Sequence, residues 1–185
     1  MQKKLIIFDR DNTLNLDETG YIHDKSKCKL FDDVYDFFSS IDTFINVCVV
    51  TNQSGIGRGY FTESDFLNIC AFMNNNLVEK EIFLDAIYCC PHHTNAKIKE
   101  FRGECNCRKP GIGMIKKAEK DLDINLNESI IIGDKITDLK AGFDSGITTR
   151  YLISEDLNKY SSNHLVTKTY KSLWDCSKHH LSITD

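Results

Sequence analysis

Short apolar runs recur along the chain and alternate with segments whose apolar residues are spaced as on a helix. Four of the five runs are nearly continuous in hydrophobicity, as expected for strands covered on both faces, and the third is more mixed. The runs are LIIF (5–8), INVCVV (45–50), DAIYC (85–89), SIIIG (129–133) and TTRYLI (148–153). Strands that alternate with helices predict an α/β fold, with helices on both faces of a parallel sheet and right-handed crossovers between the strands.

The segments between the runs predict helices. The longest candidate, 62–81, opens with Thr62 and Asp65 at the spacing of a capping box. Gly146 is placed to end another candidate as its C-cap. The chain after Tyr160 predicts one last strand and helix with a frayed end. The remaining candidates are DVYDFFSSIDTF (33–44), GMIKKAEKDLD (113–123) and ITDLKAGFDSG (136–146).

The composition is that of an ordinary soluble domain, so we expect residues 1–185 to form a single domain with a sizeable core. The chain is 41% hydrophobic and 27% charged, and its net charge of −4 comes with no basic stripe, which disfavours a nucleic-acid partner. No apolar run reaches the roughly 18 residues of a membrane span, and the N-terminal MQKKLIIFDRD is too short for a signal peptide. We therefore expect a cytoplasmic monomer with no membrane or nucleic-acid partner.

Polar loops follow three of the predicted strands. Asp9 and Asp11 follow the first strand, a loop rich in hydroxyl and amide donors (51–55) follows the second, and Asp134 and Asp138 follow the fourth. Because the carboxyl ends of parallel strands meet at one edge of the sheet, these groups should converge. Asp and Gly also end strands for structural reasons alone, but three such loops at one edge favour a site for a hard cation such as Mg2+ beside a phosphate.

Four short motifs occur in an order and at a spacing that resemble the haloacid dehalogenase superfamily of phosphohydrolases. They are DRDNTL (9–14), VVTNQSGIGRG (49–59), CRKP (107–110) and IIGDKITD (131–138). Within the superfamily, the DRD start and a cysteine-rich insert before CRKP look most like the group of D-glycero-D-manno-heptose 1,7-bisphosphate phosphatases and histidinol-phosphatases. The resemblance spans about residues 5–146 and implies a Rossmann-like sheet. The segment between the first two motifs is too short for a large cap domain.

The resemblance implies a Mg2+-dependent phosphomonoesterase that works through an aspartyl-phosphate. Asp9 would be the nucleophile, and Asp11 would protonate the departing alkoxide and then deprotonate the attacking water. Mg2+ would be held by the Asp9 carboxylate, the backbone carbonyl of Asp11, and Asp134. Asp138 would orient loop groups rather than bind the metal.

Loops would bind the phosphoryl group and the rest of the substrate. Thr51 and neighbouring backbone N–H groups would bind the phosphoryl oxygens, and Lys109 would add positive charge in the transition state. Asn12 replaces the family's usual glycine, and asparagine tolerates the positive φ that the turn requires. Further candidates for substrate contact are Asn52, Gln53, Ser54, Arg108, Lys135, Asp17, Gly20 and Tyr21.

Three functions remain open from the sequence. The substrate would be a small phosphorylated metabolite: either a heptose 1,7-bisphosphate that loses its C7 phosphate, or histidinol phosphate or another small ester, since the reacting groups are common to both. The third possibility is a zinc-stabilised module that binds phosphate without turnover. Asp11 argues against it, because a binder needs no proton shuttle. Arg58 would either extend a basic rim or be a solvated surface charge.

The cysteine-rich insert (89–108) predicts a second metal site. Cys90-x-His92, twelve further residues and Cys105-x-Cys107 supply three thiolates and one imidazole, a closed set suited to structural Zn2+. Residues two apart in an extended segment face the same way, so Cys89 and His93 should point elsewhere. A disulfide or plain buried cysteines would be the alternative, which a cytosolic setting disfavours. The metal would anchor a loop with little apolar content and fix Arg108 and Lys109 over the phosphate site.

Overall fold

Six parallel strands form the central sheet of the protein. The structure is a computed structural model that describes residues 4–41, 45–158 and 160–180. In space the strands of the sheet run in the order β5-β4-β1-β6-β7-β8, and β2 and β3 form a separate antiparallel pair. In chain order the strands are β1 (Leu5–Phe8), β2 (Asn15–Leu16), β3 (Lys29–Leu30), β4 (Asn46–Asn52), β5 (Ala86–Cys90), β6 (Ile130–Gly133), β7 (Thr149–Ile153) and β8 (Lys168–Tyr170).

Helices cover both faces of this sheet, which confirms the predicted fold class. Along β1, Ile6 and Phe8 face the core layer that includes α1, α3 and α6, whereas Leu5 and Ile7 face the layer with α4 and α5. The alternation follows from the two-residue period of a strand, and it explains why β1 is apolar throughout. The helices are α1 (Asp33–Ser39), α2 (Ser54–Arg58), α3 (Glu63–Val78), α4 (Gly113–Leu122), α5 (Ile136–Ser145) and α6 (Leu173–His180).

The local signals in the sequence mark several helix ends correctly. α3 begins with the predicted capping box, in which the Thr62 side chain accepts from the Asp65 N–H and the Asp65 carboxylate accepts from the Thr62 N–H. Gly146 ends α5 with a φ of 95°. The helix predicted over 33–44 instead ends at Ser39, and residues 42–44 lie outside the described residues. The last strand and helix are present as β8 and α6, while the predicted frayed end (181–185) also lies outside them.

The strand order places the loops that carry the motifs side by side. β1 lies between β4 and β6, so the loops that follow these three strands share one edge of the sheet. Among the described residues, the segment between β1 and β4 holds only a short hairpin, one turn of 3-10 helix and α1, with no cap domain. No helix in the described parts of the chain is both long and apolar enough to cross a membrane.

Candidate active site

Three carboxylates converge at the carboxyl ends of β1 and β6. Asp9 follows β1 directly, and its N–H donates to the Ile132 carbonyl of β6 at 2.9 Å, which ties the two strand ends together. Asp134 and Asp138 come from the loop after β6 and the first turn of α5. One oxygen from each of the three carboxylates lies within 4.8 Å of the other two. The prediction that Asp9 and Asp134 meet is thus matched by their placement, with Asp138 beside them.

Lys109 pairs with two of these three carboxylates. Its ammonium donates to Asp9 Oδ1 at 2.6 Å and to the Val50 carbonyl at 2.6 Å, and it lies 2.7 Å from Asp138 Oδ1. The three partners match the three hydrogens of an ammonium group, and the side chain is buried. Burial lowers the pKa of Lys109, but the Asp9 and Asp138 carboxylates outweigh that effect and hold the pKa above its ordinary value. Lys109 is therefore a fixed positive charge inside the site.

The carboxylate cluster carries more negative charge than its neighbours balance. Burial raises the pKa of Asp9 from 3.8 to about 7; Lys109 counteracts the rise, whereas the other carboxylates add to it. Burial likewise raises the pKa of Asp134. Asp134 Oδ1 is buried, and no group in the described part of the chain forms a hydrogen bond with it. Hard oxygen ligands with one unpartnered carboxylate oxygen are what a divalent cation such as Mg2+ requires, so the residues present fit that ion.

The carboxylate of Asp11 does not join the cluster. Its Oδ1 accepts from Arg10 Nε at 2.9 Å, Arg10 Nη2 at 2.7 Å and Asn15 Nδ2 at 3.3 Å. Its Oδ2 accepts from Gln53 Nε2 at 2.8 Å. Arg10 is almost completely buried (1% exposed), yet sequence reasoning assigned it no role. The position of Arg10 in the sequence indicates this contact, since an arginine between two aspartates at a strand end is expected to pair with one of them.

A small cavity of about 50 Å³ lies over these groups, with room for one small group rather than a whole sugar. Six of the predicted site residues line it, together with Thr137 and Asp138. The side-chain amide of Asn52 accepts from the Lys109 backbone N–H at 3.0 Å and donates to the Lys109 carbonyl at 3.1 Å. The six predicted residues are Asp9, Asp11, Thr51, Asn52, Lys109 and Lys135.

Several predicted substrate contacts lie away from this cavity. Asp17 Oδ1 accepts from the backbone N–H groups of Thr19 and Gly20, so it shapes its own loop. Tyr21 packs edge-on against Tyr60, with ring centroids 4.8 Å apart. The Arg108 guanidinium donates to the His92 carbonyl at 3.3 Å. Ser54 begins α2. The lining of the small cavity does not include Ser54, Asp17, Gly20, Tyr21 or Arg108.

A larger cavity of about 630 Å³ reaches Asp134 from the side of β7 and β8. Its lining includes Asp32, Asp33 and Glu155 but only one cationic side chain, Lys171. This acidic lining repels phosphate groups, so its size alone does not make it the place for a phosphorylated substrate.

The four predicted zinc ligands come together in the loop after β5. The Sγ atom of Cys107 lies 3.0 Å from Cys90 Sγ and 3.3 Å from Cys105 Sγ, and Cys90 and Cys105 are 3.6 Å apart. His92 Nδ1 lies 3.4 Å from Cys107 Sγ. A disulfide needs about 2.05 Å, whereas the sulfur ligands of a tetrahedral Zn2+ lie about 3.8 Å apart. The set therefore fits one tetrahedral metal ion better than a disulfide.

The neighbours of these ligands face away, as expected. Cys89 packs against the cluster of Ile56 and Phe66. The His93 ring contacts Arg58 Nη2, with Nε2 at 2.9 Å. Arg58 is thus half-buried against the cysteine-rich loop, neither solvated nor at the cavity.

Comparison with known proteins places these features in a family. The HAD-hydrolase-like family model matches residues 106–164. A D-glycero-beta-D-manno-heptose-1,7-bisphosphate 7-phosphatase of Haemophilus influenzae is 44% identical over 151 residues, which is 81% of each chain. The Escherichia coli K12 protein of the same name is 39% identical over 80% of this chain and 78% of its own. The chain belongs to the heptose bisphosphate phosphatase group of the haloacid dehalogenase superfamily.

Comparison with a solved structure shows that the similarity covers the whole fold of this phosphatase. The D,D-heptose 1.7-bisphosphate phosphatase from B. bronchiseptica, complexed with magnesium and phosphate, superimposes with a TM-score of 0.83 at 25% identity. The match covers 97% of this chain and 98% of that one. The family resemblance inferred from the four motifs is confirmed, and the protein is an enzyme, a phosphatase.

Proposed function

We propose that this phosphatase hydrolyses the C7 phosphate of D-glycero-β-D-manno-heptose 1,7-bisphosphate with the help of Mg2+. The observation that carries the proposal is the cluster of Asp9, Asp134 and Asp138, in which the buried Lys109 pairs with Asp9 and Asp138, beneath a cavity sized for one small group. The relatives that carry this activity in their names support the choice of substrate. We further propose that the enzyme works as a cytoplasmic monomer.

In the first half of the proposed reaction, a carboxylate oxygen of Asp9 attacks phosphorus while the bond to the sugar oxygen breaks. Asp11 gives a proton to that oxygen, so the sugar leaves as an alcohol. Lys109 stabilises the charge on the transferring group and holds Asp9 in place. Mg2+, held by Asp9, Asp134 and the Asp11 carbonyl, would neutralise phosphate charge.

In the second half, the Asp11 carboxylate takes a proton from a water molecule whose oxygen bonds to phosphorus. The bond between phosphorus and Asp9 breaks, inorganic phosphate leaves, and Asp11 is protonated for the next cycle. The Thr51 hydroxyl binds phosphoryl oxygens in both halves. The Asn52 side chain contributes by holding the backbone of Lys109.

We also propose that Zn2+ occupies the Cys90, His92, Cys105 and Cys107 site in a structural role. Four protein ligands leave no open position for substrate or water. Cys107 is two residues before Lys109, so the metal fixes the backbone from which the buried lysine enters the site. Arg108 and Lys135 are the cationic side chains available to a second anionic group of the substrate.

A substrate panel tests the proposed function. Phosphate release should show a kcat/KM for the heptose 1,7-bisphosphate at least about tenfold above that for histidinol phosphate and simple sugar monophosphates. Phosphorus NMR should show loss of the C7 and not the C1 phosphate, and Asp9→Asn should abolish turnover. An equal or higher kcat/KM for histidinol phosphate would overturn the substrate assignment. No metal-dependent turnover of any ester would favour a phosphate-binding module instead.

A further inference from the structure

Arg10 is a buried charge next to the catalytic residues that the reaction as described does not use. Its guanidinium lies 5.7 Å from the centre of the Phe66 ring, and its Nη1 has no hydrogen-bond partner among the residues that the structure describes. Keeping an arginine inside the protein with one nitrogen unsatisfied costs stability, so packing alone does not account for it. Its other two side-chain nitrogens, Nε and Nη2, donate to Asp11 and Gln53.

The chemistry of arginine fixes the orientation of the Gln53 amide. Arg10 can only donate hydrogen bonds, so the group that faces its Nη2 at 3.3 Å must be Gln53 Oε1. The Nε2 amide group then faces Asp11 Oδ2 and Thr51 Oγ1, both at 2.8 Å. If the Gln53 amide were flipped, its nitrogen would face the Arg10 guanidinium and its oxygen would face the Asp11 carboxylate. Neither pair could then form a hydrogen bond. Both hydrogens of the amide nitrogen are used inside the protein, and Gln53 is buried.

The same chain of donors gives the two oxygens of Asp11 different tasks. Oδ1 accepts three hydrogen bonds, two from Arg10 and one from Asn15, so it is an anchor. Oδ2 accepts one, from Gln53, and keeps a lone pair for a proton. Thr51 Oγ1 accepts from Gln53, which leaves its own hydrogen free to point into the cavity that Thr51 lines.

We propose that Arg10 and Gln53 are positioning residues that hold Asp11 Oδ2 as the proton-transfer atom. For Gln53 this role replaces the direct substrate contact expected from the sequence. The proposal rests on the proposed hydrolysis through Asp9 and Asp11, but not on which sugar phosphate is the substrate.

Leaving-group dependence separates loss of proton transfer from loss of structure. The leaving group of p-nitrophenyl phosphate departs as a stable anion and needs no proton, whereas that of a simple alkyl phosphate does. In Arg10→Lys and Gln53→Met, the burst of nitrophenol should stay within about threefold of wild type. Breakdown of the phosphoenzyme and the first turnover of the alkyl phosphate should fall about 10²-fold, the lower end of what general acid–base catalysis contributes. Quenched reactions should then show accumulated aspartyl-phosphate.

A double-mutant cycle tests whether Arg10 acts through Asp11. Asp11→Asn should give the same pattern with a larger loss, and adding Arg10→Lys to it should lower no rate further. Arg10→Lys should retain more activity than Arg10→Met, because lysine keeps one charged hydrogen bond to Asp11. Arg150→Lys is the matched control: Arg150 is also buried, but it donates to backbone carbonyls such as those of Ile147 and Leu165. Arg150→Lys should leave the ratio of the rates on the two substrates unchanged.

Several results would overturn the proposal. They are an equal loss of burst and phosphoenzyme breakdown on both substrates, no change in a variant that folds as wild type does, or a further loss on the Asp11→Asn background. If the Arg10 variants do not fold, Gln53→Met decides, because it leaves the contact between Arg10 and Asp11 in place. Turnover of p-nitrophenyl phosphate without turnover of the heptose bisphosphate would refute the substrate assignment and still leave this test in force.

Discussion

Lys109 gathers acceptors from three distant parts of the chain into one site. Asp9, Val50 and Asp138 are far apart in sequence, yet all three lie within 2.7 Å of one ammonium group. The lysine compensates two buried carboxylates, which would otherwise repel each other. At the scale of single residues, catalysis and stability therefore depend on the same side chain.

Replacing Lys109 by methionine should lower both activity and stability. The substitution leaves Asp9 and Asp138 buried without their cation, which typically costs about 3–5 kcal/mol in the free energy of unfolding. Loss of transition-state charge should lower kcat by about 10²–10³. Urea unfolding and phosphate-release kinetics measure the two effects.

Lys116→Met is the control for this prediction. Lys116 pairs with Glu119 at 3.0 Å on the surface, where both side chains are more than one-third exposed. Such exposed pairs contribute little to stability. Equal losses of stability in the two variants would show that Lys109 is not the compensating charge described above.

At the scale of elements, the loop between β5 and α4 lacks the apolar residues to hold its own shape. Its backbone contacts with the rest of the fold include the bond from Ile98 N–H to the Gly57 carbonyl at 3.0 Å. Gly57 must be glycine, since a Cβ there would lie 2.4 Å from the Pro91 carbonyl. The close approach of α2 and the loop, together with the cluster of three thiols and an imidazole, positions the segment that carries Lys109.

Loss of zinc should therefore lower activity even in excess Mg2+. Elemental analysis should detect about one equivalent of zinc in the wild type and none in Cys105→Ser, which lacks one of the four ligands. The kcat should fall because Lys109 loses its fixed backbone. Cys89→Ser, next to the ligands but facing the other way, should retain both zinc and activity. Unchanged kinetics in verified zinc-free protein would refute this role.

At the scale of the whole molecule, the acidic site links metal binding to folding. The sheet order β4-β1-β6 concentrates the carboxylates at one edge, where their mutual repulsion opposes folding until a cation binds. An ion that binds only the folded chain stabilises all of it.

Mg2+ should raise the Tm of the protein through Asp134. At a hundredfold excess over its Kd the ion adds about 2.7 kcal/mol. For a chain of this length that is roughly 5–10 °C. Asp134→Asn should remove most of this shift, whereas Asp144→Asn, in an exposed pair with Lys140, should keep it. A thermal-shift assay with zinc content held constant distinguishes the two, and equal shifts would contradict the assignment of Asp134.

Short-range patterns of residues are sufficient to predict several features of this protein. Apolar runs identified five of the six strands of the parallel sheet, a capping box and Gly146 marked helix ends, and Asn12 adopts the positive φ of 60° expected for its turn. The spacing of Cys90, His92, Cys105 and Cys107 was sufficient for the cysteine cluster, because the two pairs are local. Motif order indicated the family, and the comparisons confirmed it.

How these parts combine depends on the packing of the folded chain. Three contacts depend on which strands are neighbours and which side chains meet between them. Lys109 bonds two carboxylates, Asn52 holds the backbone of Lys109, and Arg10 lies buried against Asp11. The fold also places Asp17, Gly20 and Tyr21 away from the small cavity. Hydrogen bonds and charge compensation act across distances in sequence that no local pattern encodes, so these contacts required the folded chain.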